Sequence, residues 1–366
     1  MFSLFAVGNK ESAQHQSTGR PAEQRLKLRN FPRRYSAMSN NEQIVFLYRV
    51  DHIPQMVVDH ALATVPDGYT LTFTPVEDSD EKRRDLVAGA DYLVCYGRPF
   101  DDIDVAKKAK IFQVLSAGFD RYDIDSFTEA GIPICNNGGA NAPTVAEHAI
   151  MLMLSVYKKL PAHHNGLHNG VWLGHHYATE MRELRGKQVG IVGFGNIGQQ
   201  VARIARGFLA DVAFFDPIDV DQSIKDEYDA KQMGFDDLLS TSDVITVHTP
   251  LNDATRGMLN KDAFAKMKES AIFVSTARGP VTVEADLIAA LDGGQIAGAG
   301  IDVFEEEPTP NDNPLFGRDN VVVTPHMAGT TIDTFYRRIE FAFSNIQRVA
   351  KGEAPLALIN ADWSPK

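Results

Sequence analysis

Short apolar, β-branched runs recur along this chain from residue 44 onward, spaced so that a helix fits between one and the next. Ile44-Val-Phe-Leu-Tyr48, Leu93-Val-Cys-Tyr96 and Ile111-Phe-Gln-Val-Leu115 come first, each closed by a Gly, Pro or Asp signal. Runs at 189–192, 212–215, 244–247, 272–275, 299–303 and 321–324 follow. Unbroken apolar runs of this length suit strands buried on both faces, which occur in parallel sheets covered by helices. The rhythm predicts an α/β fold in two lobes, the second built on six strands. A helix from about Pro143 to Leu160, apolar at Val145, Ala149, Leu152 and Val156, is expected to bridge the lobes. A further helix from Thr331 to Lys351 is expected to return to the first lobe.

The run at 189–192 leads into Gly193-Phe-Gly195-Asn196-Ile197-Gly198. Gly193 permits the tight exit from the strand, Gly195 lets the backbone meet a pyrophosphate, and Gly198 lets the next helix lie close to the sheet. The helix amino terminus then turns its free amides and dipole towards the phosphates. GxGxxG alone is a weak signal, but here it sits between a strand and a helix running to about Leu209, and the following run ends at Asp216. An acid at that point accepts the ribose hydroxyls and repels a 2′-phosphate; with no Arg after it, NAD is expected over NADP. Thr249 and Pro250, beyond the 244–247 run, are expected to border the cofactor.

In the last third, Arg278, Asp302 with Glu307 after it, and His326 each stand at or just past the carboxyl end of an apolar run. In an open parallel sheet those ends face the ligand crevice, so a guanidinium, a carboxylate and an imidazole are expected to converge there. His exchanges a proton near neutral pH when a carboxylate supports its charged form, and Arg grips a carboxylate through its planar fork.

Several motifs in order carry a resemblance: Glu183-Leu-Arg-Gly186, the glycine turn, Thr249-Pro-Leu251, Met267-Lys268, Ala277-Arg-Gly279, Gly300-Ile-Asp-Val-Phe304, Glu307-Pro308 and Thr324-Pro-His326. Upstream, Ser116-Ala-Gly-Phe-Asp120 and Asn141-Ala-Pro-Thr-Val-Ala-Glu-His148 join them. From about residue 44 to 360 the chain resembles the D-isomer-specific 2-hydroxyacid dehydrogenase family. The resemblance implies a Rossmann doubly wound parallel sheet, residues 140–327, inserted into a smaller flavodoxin-like substrate domain, residues 41–139 and 328–366. It implies a catalytic trio of Arg278 on the substrate carboxylate, His326 as proton donor and acceptor, and Glu307 as its carboxylate partner, preferred over Glu305 and Glu306 because Glu307-Pro308 is the matching pair. Thr276 and Asp302 would meet the nicotinamide end of NAD, and the amides of Tyr96 and Gly97 would clasp the substrate carboxylate opposite Arg278. Arg98 could add an anion contact. Ser275 or Thr276 stands where many relatives carry Asn. The activity implied is NAD-dependent interconversion of a D-2-hydroxy acid and its 2-keto acid, with glyoxylate, hydroxypyruvate or a similarly small acid as substrate. The alternatives are 3-phosphoglycerate or phosphite oxidation and, in another class, an NADH-sensing corepressor; Glu307 argues against formate. A homodimer through the cofactor lobe and the 143–184 segment is implied too, and an appended regulatory domain after Lys366 is not expected.

A formal charge of −12 sets the average field against nucleic acid and anionic membranes. The longest apolar run, 149–157, is far short of the roughly 20 residues that span a bilayer. Cys95 and Cys135 form no CxxC pair, and His148, His163, His164, His175 and His176 form no recognisable cage, so no metal is expected. Residues 1–40 carry seven Lys or Arg against two acids, and Arg33-Arg34-Tyr35-Ser36 resembles a mitochondrial cleavage signal. The expected location is cytoplasmic or mitochondrial.

Overall fold

A computed structural model of the chain describes residues 41–49, 52–75, 78–97 and 99–360. The basic stretch 1–40, with its expected cleavage signal, and Arg98 lie outside the described residues.

Two parallel sheets organise the rest. The first contains β1 (Glu42–Tyr48), β2 (Tyr69–Pro75), β3 (Tyr92–Tyr96), β4 (Phe112–Val114) and β5 (Ile134–Cys135), in the spatial order β2-β1-β3-β4-β5. That is the flavodoxin-type order. The second contains β6 (Gln188–Val192), β7 (Asp211–Phe215), β8 (Ala230–Gln232), β9 (Val244–Val247), β10 (Ile272–Ser275), β11 (Gly298–Ile301) and β12 (Val321–Val323). Its order is β12-β11-β10-β9-β6-β7-β8, all pairs parallel. Strand order reverses between β6 and β9, and in a doubly wound sheet the ligand crevice opens at the carboxyl ends of the two strands flanking that reversal.

The second sheet has seven strands where the apolar rhythm predicted six. The addition is β8, Ala230-Lys-Gln, an edge strand with only one buried residue, so no apolar run marks it. In the first sheet β2, Tyr-Thr-Leu-Thr-Phe-Thr-Pro, is likewise an edge strand whose threonines interrupt the apolar pattern.

The bridging helix runs Ala142–Tyr157 with Pro143 in its first turn. It stops three residues before the expected Leu160, because Lys159 takes a left-handed conformation (φ 49°) and a second helix, Leu160–His168, begins there. Its Ala146, Ala149, Leu152, Met153 and Val156 pack with Val189, Ile191, Ile272 and Val274 of the second sheet. The helix Ile332–Ala350 starts at Thr331, whose hydroxyl accepts the Thr334 amide at 3.2 Å. Its Phe335, Ile339, Ala342, Phe343 and Ile346 share one face and join Ile44, Phe46 and Tyr92 of the first sheet in one core. Each of the Phe and Ile side chains, fully buried, contributes about 1.5–3 kcal/mol.

Candidate active site

At the strand reversal the backbone leaves no room for side chains. Gly193 has φ +94°, and an added Cβ would stand 3.0 Å from the His248 carbonyl carbon and from Thr249 Cγ2, beyond the end of β9. An added Cβ on Gly198 would collide with the Gly193 carbonyl oxygen. On Gly195, by contrast, it would meet nothing within 4 Å, so the turn faces open space before the helix Asn196–Gly207. That cradle fits a pyrophosphate. Asp216, just past β7, is fixed beside it: one carboxylate oxygen accepts the Phe194 amide at 2.9 Å and the other the Ile218 amide at 3.1 Å. Each oxygen keeps a lone pair for a ribose hydroxyl. Thr249 Oγ1 is buried with no hydrogen-bond partner, while exposed Pro250 follows it. Asn196 and Ile197 open the helix, and Asn196 lies against Gly139 of the first lobe, where an added Cβ would stand 2.7 Å from the carboxamide.

His326 Nδ1 pairs with Glu307 Oε2 at 2.7 Å, which leaves Nε2 as the nitrogen for proton exchange. Glu307 Oε1 also accepts the Phe304 amide at 3.1 Å. Burial alone would raise the Glu307 carboxyl. The hydrogen bond and charge of His326, the Phe304 amide and the Arg278 charge outweigh it and hold the carboxyl below its ordinary range. His326 itself has φ +50°, a left-handed conformation that costs a non-glycine residue roughly 1–2 kcal/mol.

Asp302 holds the loop in that conformation. Its carboxylate accepts the Thr324 hydroxyl at 2.6 Å and the amides of Met327 and Ala328, both at 2.9 Å, and its carbonyl accepts the His326 amide at 2.7 Å. The side chain is fully buried. Its carboxylate is thus the anchor of this loop. His148, on the bridging helix, joins through Nε2 to the Thr324 hydroxyl at 2.9 Å, and desolvation lowers its pKa against the opposing pull of Asp302.

Arg278 follows β10. Its Nη1 donates to the Ala277 carbonyl at 2.9 Å, and its Nε donates to Asp120 of the first lobe at 3.1 Å. The guanidinium presses on Gly118, where an added Cβ would collide with Nη2. Asp120 lies within the Ser116–Asp120 motif, yet nothing local marked it as a partner of Arg278. Thr276 Oγ1 bonds His248 Nδ1 at 3.3 Å, and His248 Nε2 meets Thr246 at 2.9 Å. Desolvation pushes His248 down to about 3, so the ring is neutral, a residue the sequence did not single out. Buried Ser275 Oγ has no partner. Tyr96 and Gly97 end β3 beside the reversal of the first sheet, Gly97 with φ +81° and against the His52 ring. No direct contact joins them to Arg278. Among the described residues no group of His, Cys, Asp or Glu is arranged to hold a metal ion, and no helix is long and apolar enough to cross a membrane.

A glycine cradle at the strand reversal, an acid poised for ribose and a carboxylate-backed imidazole beside an arginine define the class: a nicotinamide-dependent dehydrogenase fold in two lobes. Comparison with known proteins narrows the class. The profile of the D-isomer specific 2-hydroxyacid dehydrogenase NAD binding domain matches residues 150–328. A D-3-phosphoglycerate dehydrogenase of Archaeoglobus fulgidus is 38% identical over 68% of this chain, which spans about half (47%) of that relative's length. A glyoxylate reductase of Thermofilum pendens is 36% identical over 71% of this chain and 77% of its own. The crystal structure of a glyoxylate reductase from Paecilomyes thermophila superposes with a TM-score of 0.74 at 29% identity, over 87% of this chain and 99% of that one. The chain belongs to the D-isomer specific 2-hydroxyacid dehydrogenase family, and its cofactor is NAD.

Proposed function

We propose that the protein interconverts a D-2-hydroxy acid and its 2-keto acid, with glyoxylate, hydroxypyruvate or a similarly small acid as substrate. The 2.7 Å pair between His326 and Glu307 carries the reading, because a general acid needs a carboxylate to stabilise its charged form and a sensor of NADH does not. NAD, when bound, supplies or accepts the hydride at nicotinamide C4. The amides from Gly193 to Gly198 hold its pyrophosphate, and Asp216 holds its ribose. Arg278 takes the substrate carboxylate on its fork, with Tyr96 and Gly97 as the opposing clasp. His326 Nε2 gives its proton to the carbonyl oxygen in reduction and recovers it in oxidation, while Glu307 balances the imidazolium. Contact of Arg278 with Asp120 and Gly118 supports a first-lobe loop lying over this side chain.

A second reading, 3-phosphoglycerate oxidation, is supported by the similarity to the D-3-phosphoglycerate dehydrogenase of Archaeoglobus fulgidus. We propose further that the chain forms a homodimer through the 143–184 segment, which exposes Leu160, Leu167, Val171 and Trp172.

The test follows NADH oxidation against a panel of 2-keto acids. The His326→Ala variant is expected to lose 10²- to 10⁴-fold in kcat, and Arg278→Ala to lose mainly in KM. Failure of the unaltered protein to oxidise NADH with any acid would overturn the proposal in favour of the sensor.

A further inference from the structure

Among the described residues, Arg338 is a buried cation with no counter-charge. It lies on the helix Ile332–Ala350 and is 5% exposed. Its one hydrogen bond runs from Nη1 to the Tyr96 hydroxyl at 3.2 Å, no carboxylate of the described residues pairs with it, and its buried Nε has no partner. The guanidinium lies 5.4 Å from the Tyr96 ring centroid and 5.6 Å from that of Phe335. An added Cβ on Gly329 would stand 3.1 Å from Nη2. The adjacent Arg337 adds positive charge and is bonded only to neutral acceptors, the Ala140 carbonyl and the hydroxyls of Thr144 and Thr334.

Burying an unpaired cation is costly, and chains retain such groups where a ligand supplies the missing charge. Desolvation accordingly lowers the pKa of Arg338. The position is informative as well: Tyr96 ends the strand that leads into the expected carboxylate clasp, and Gly329 follows His326 by three residues. The cation therefore stands behind both walls that face the substrate.

We propose that Arg338 receives a second anionic group, a carboxylate or a phosphate, at the far end of the 2-keto acid. This rests on the 2-hydroxy acid oxidoreductase reading above and takes its acids with an anionic far end, of which 3-phosphoglycerate is one, in place of glyoxylate and hydroxypyruvate. It makes acidic or phosphorylated 2-hydroxy acids the preferred substrate class, with glyoxylate and hydroxypyruvate as poorer ones. The Tyr96 hydroxyl orients the guanidinium, and the anion replaces the water that a buried charge cannot keep.

The experiment measures kcat/KM with NADH on glyoxylate, hydroxypyruvate, 2-oxoglutarate and 3-phosphohydroxypyruvate, for the unaltered protein, Arg338→Met and Arg338→Lys. One of the two anionic-tailed acids is expected to be the best substrate, and the two arms tell carboxylate from phosphate. On that acid Arg338→Met is expected to lose at least tenfold more than on hydroxypyruvate, chiefly in KM, and Arg338→Lys to recover part of the loss. Equal losses on all four acids would reduce Arg338 to a prop for Tyr96 and overturn the proposal, as would no loss. Should Arg338→Met fail to fold, thermal shifts of the unaltered protein with NAD decide: D-2-hydroxyglutarate or D-3-phosphoglycerate is expected to raise Tm more than D-lactate, and equal shifts overturn the proposal. Turnover of glyoxylate with uniform losses sinks this inference alone, whereas inactivity on every acid sinks the oxidoreductase reading itself.

Discussion

Glu307 and His326 stand 19 residues apart in the chain and 2.7 Å apart in space, and their coupling has consequences in pH. The native Glu307 carboxyl titrates below its ordinary value of 4.5, so in that interval the unfolded chain binds the extra proton. The pair stabilises the fold above about pH 4.5 and loses that effect as pH falls through the native value. Glu307→Gln is thus expected to melt below the unaltered protein at about pH 6, with the gap shrinking as pH falls below about 4.5; a gap of constant size would contradict the sign. In keto-acid reduction the same variant is expected to lose about 10- to 100-fold in kcat. Arg278, Glu307 and His326 were legible because each follows an apolar run and belongs to a recognisable motif. Asp120 and Arg338 were not, since an acid in a loop and a base in an amphipathic helix look like surface charges until the fold presses them against Arg278 and Tyr96.

Among the elements, the loop from Thr324 to Ala328 depends on one buried carboxylate. Asp302→Ala would strand the amides of Met327 and Ala328, at about 1–3 kcal/mol for each group left unsatisfied, and leave the Thr324 hydroxyl only His148 as partner. With partial relaxation, a loss of roughly 2–4 kcal/mol is expected in thermal unfolding, together with about a tenfold fall in kcat as His326 leaves its left-handed conformation. An unchanged Tm would show that the loop holds itself. The strands with continuous apolar runs were readable at this scale, whereas β2 and β8 were hidden because edge strands need not be apolar throughout. The end of the bridging helix was misplaced by three residues because apolar periodicity continues to Leu160 while the backbone turns at Lys159.

For the molecule as a whole, the segment after the bridging helix exposes Trp172 at 85% and Leu167 at 61%. Contiguous exposed apolar surface of this kind is what an interaction site presents. If that site joins two copies, light scattering will give the mass of two chains, and Trp172→Asp will shift it towards one. A monomer at micromolar concentration would remove the dimer while leaving the active site untouched.

The order of apolar runs, the glycines at the first β–α turn and the polar residues at strand ends determined the parallel α/β architecture and the family, because these signals act within a few residues along the backbone. What each polar group meets was decided only in three dimensions. Asp302 became the anchor of a loop, Arg278 found Asp120 across the lobes, and Arg338 was left without an acid among the described residues. Such pairings join residues up to 242 positions apart, and burial, which sets their worth, follows from packing rather than from local composition.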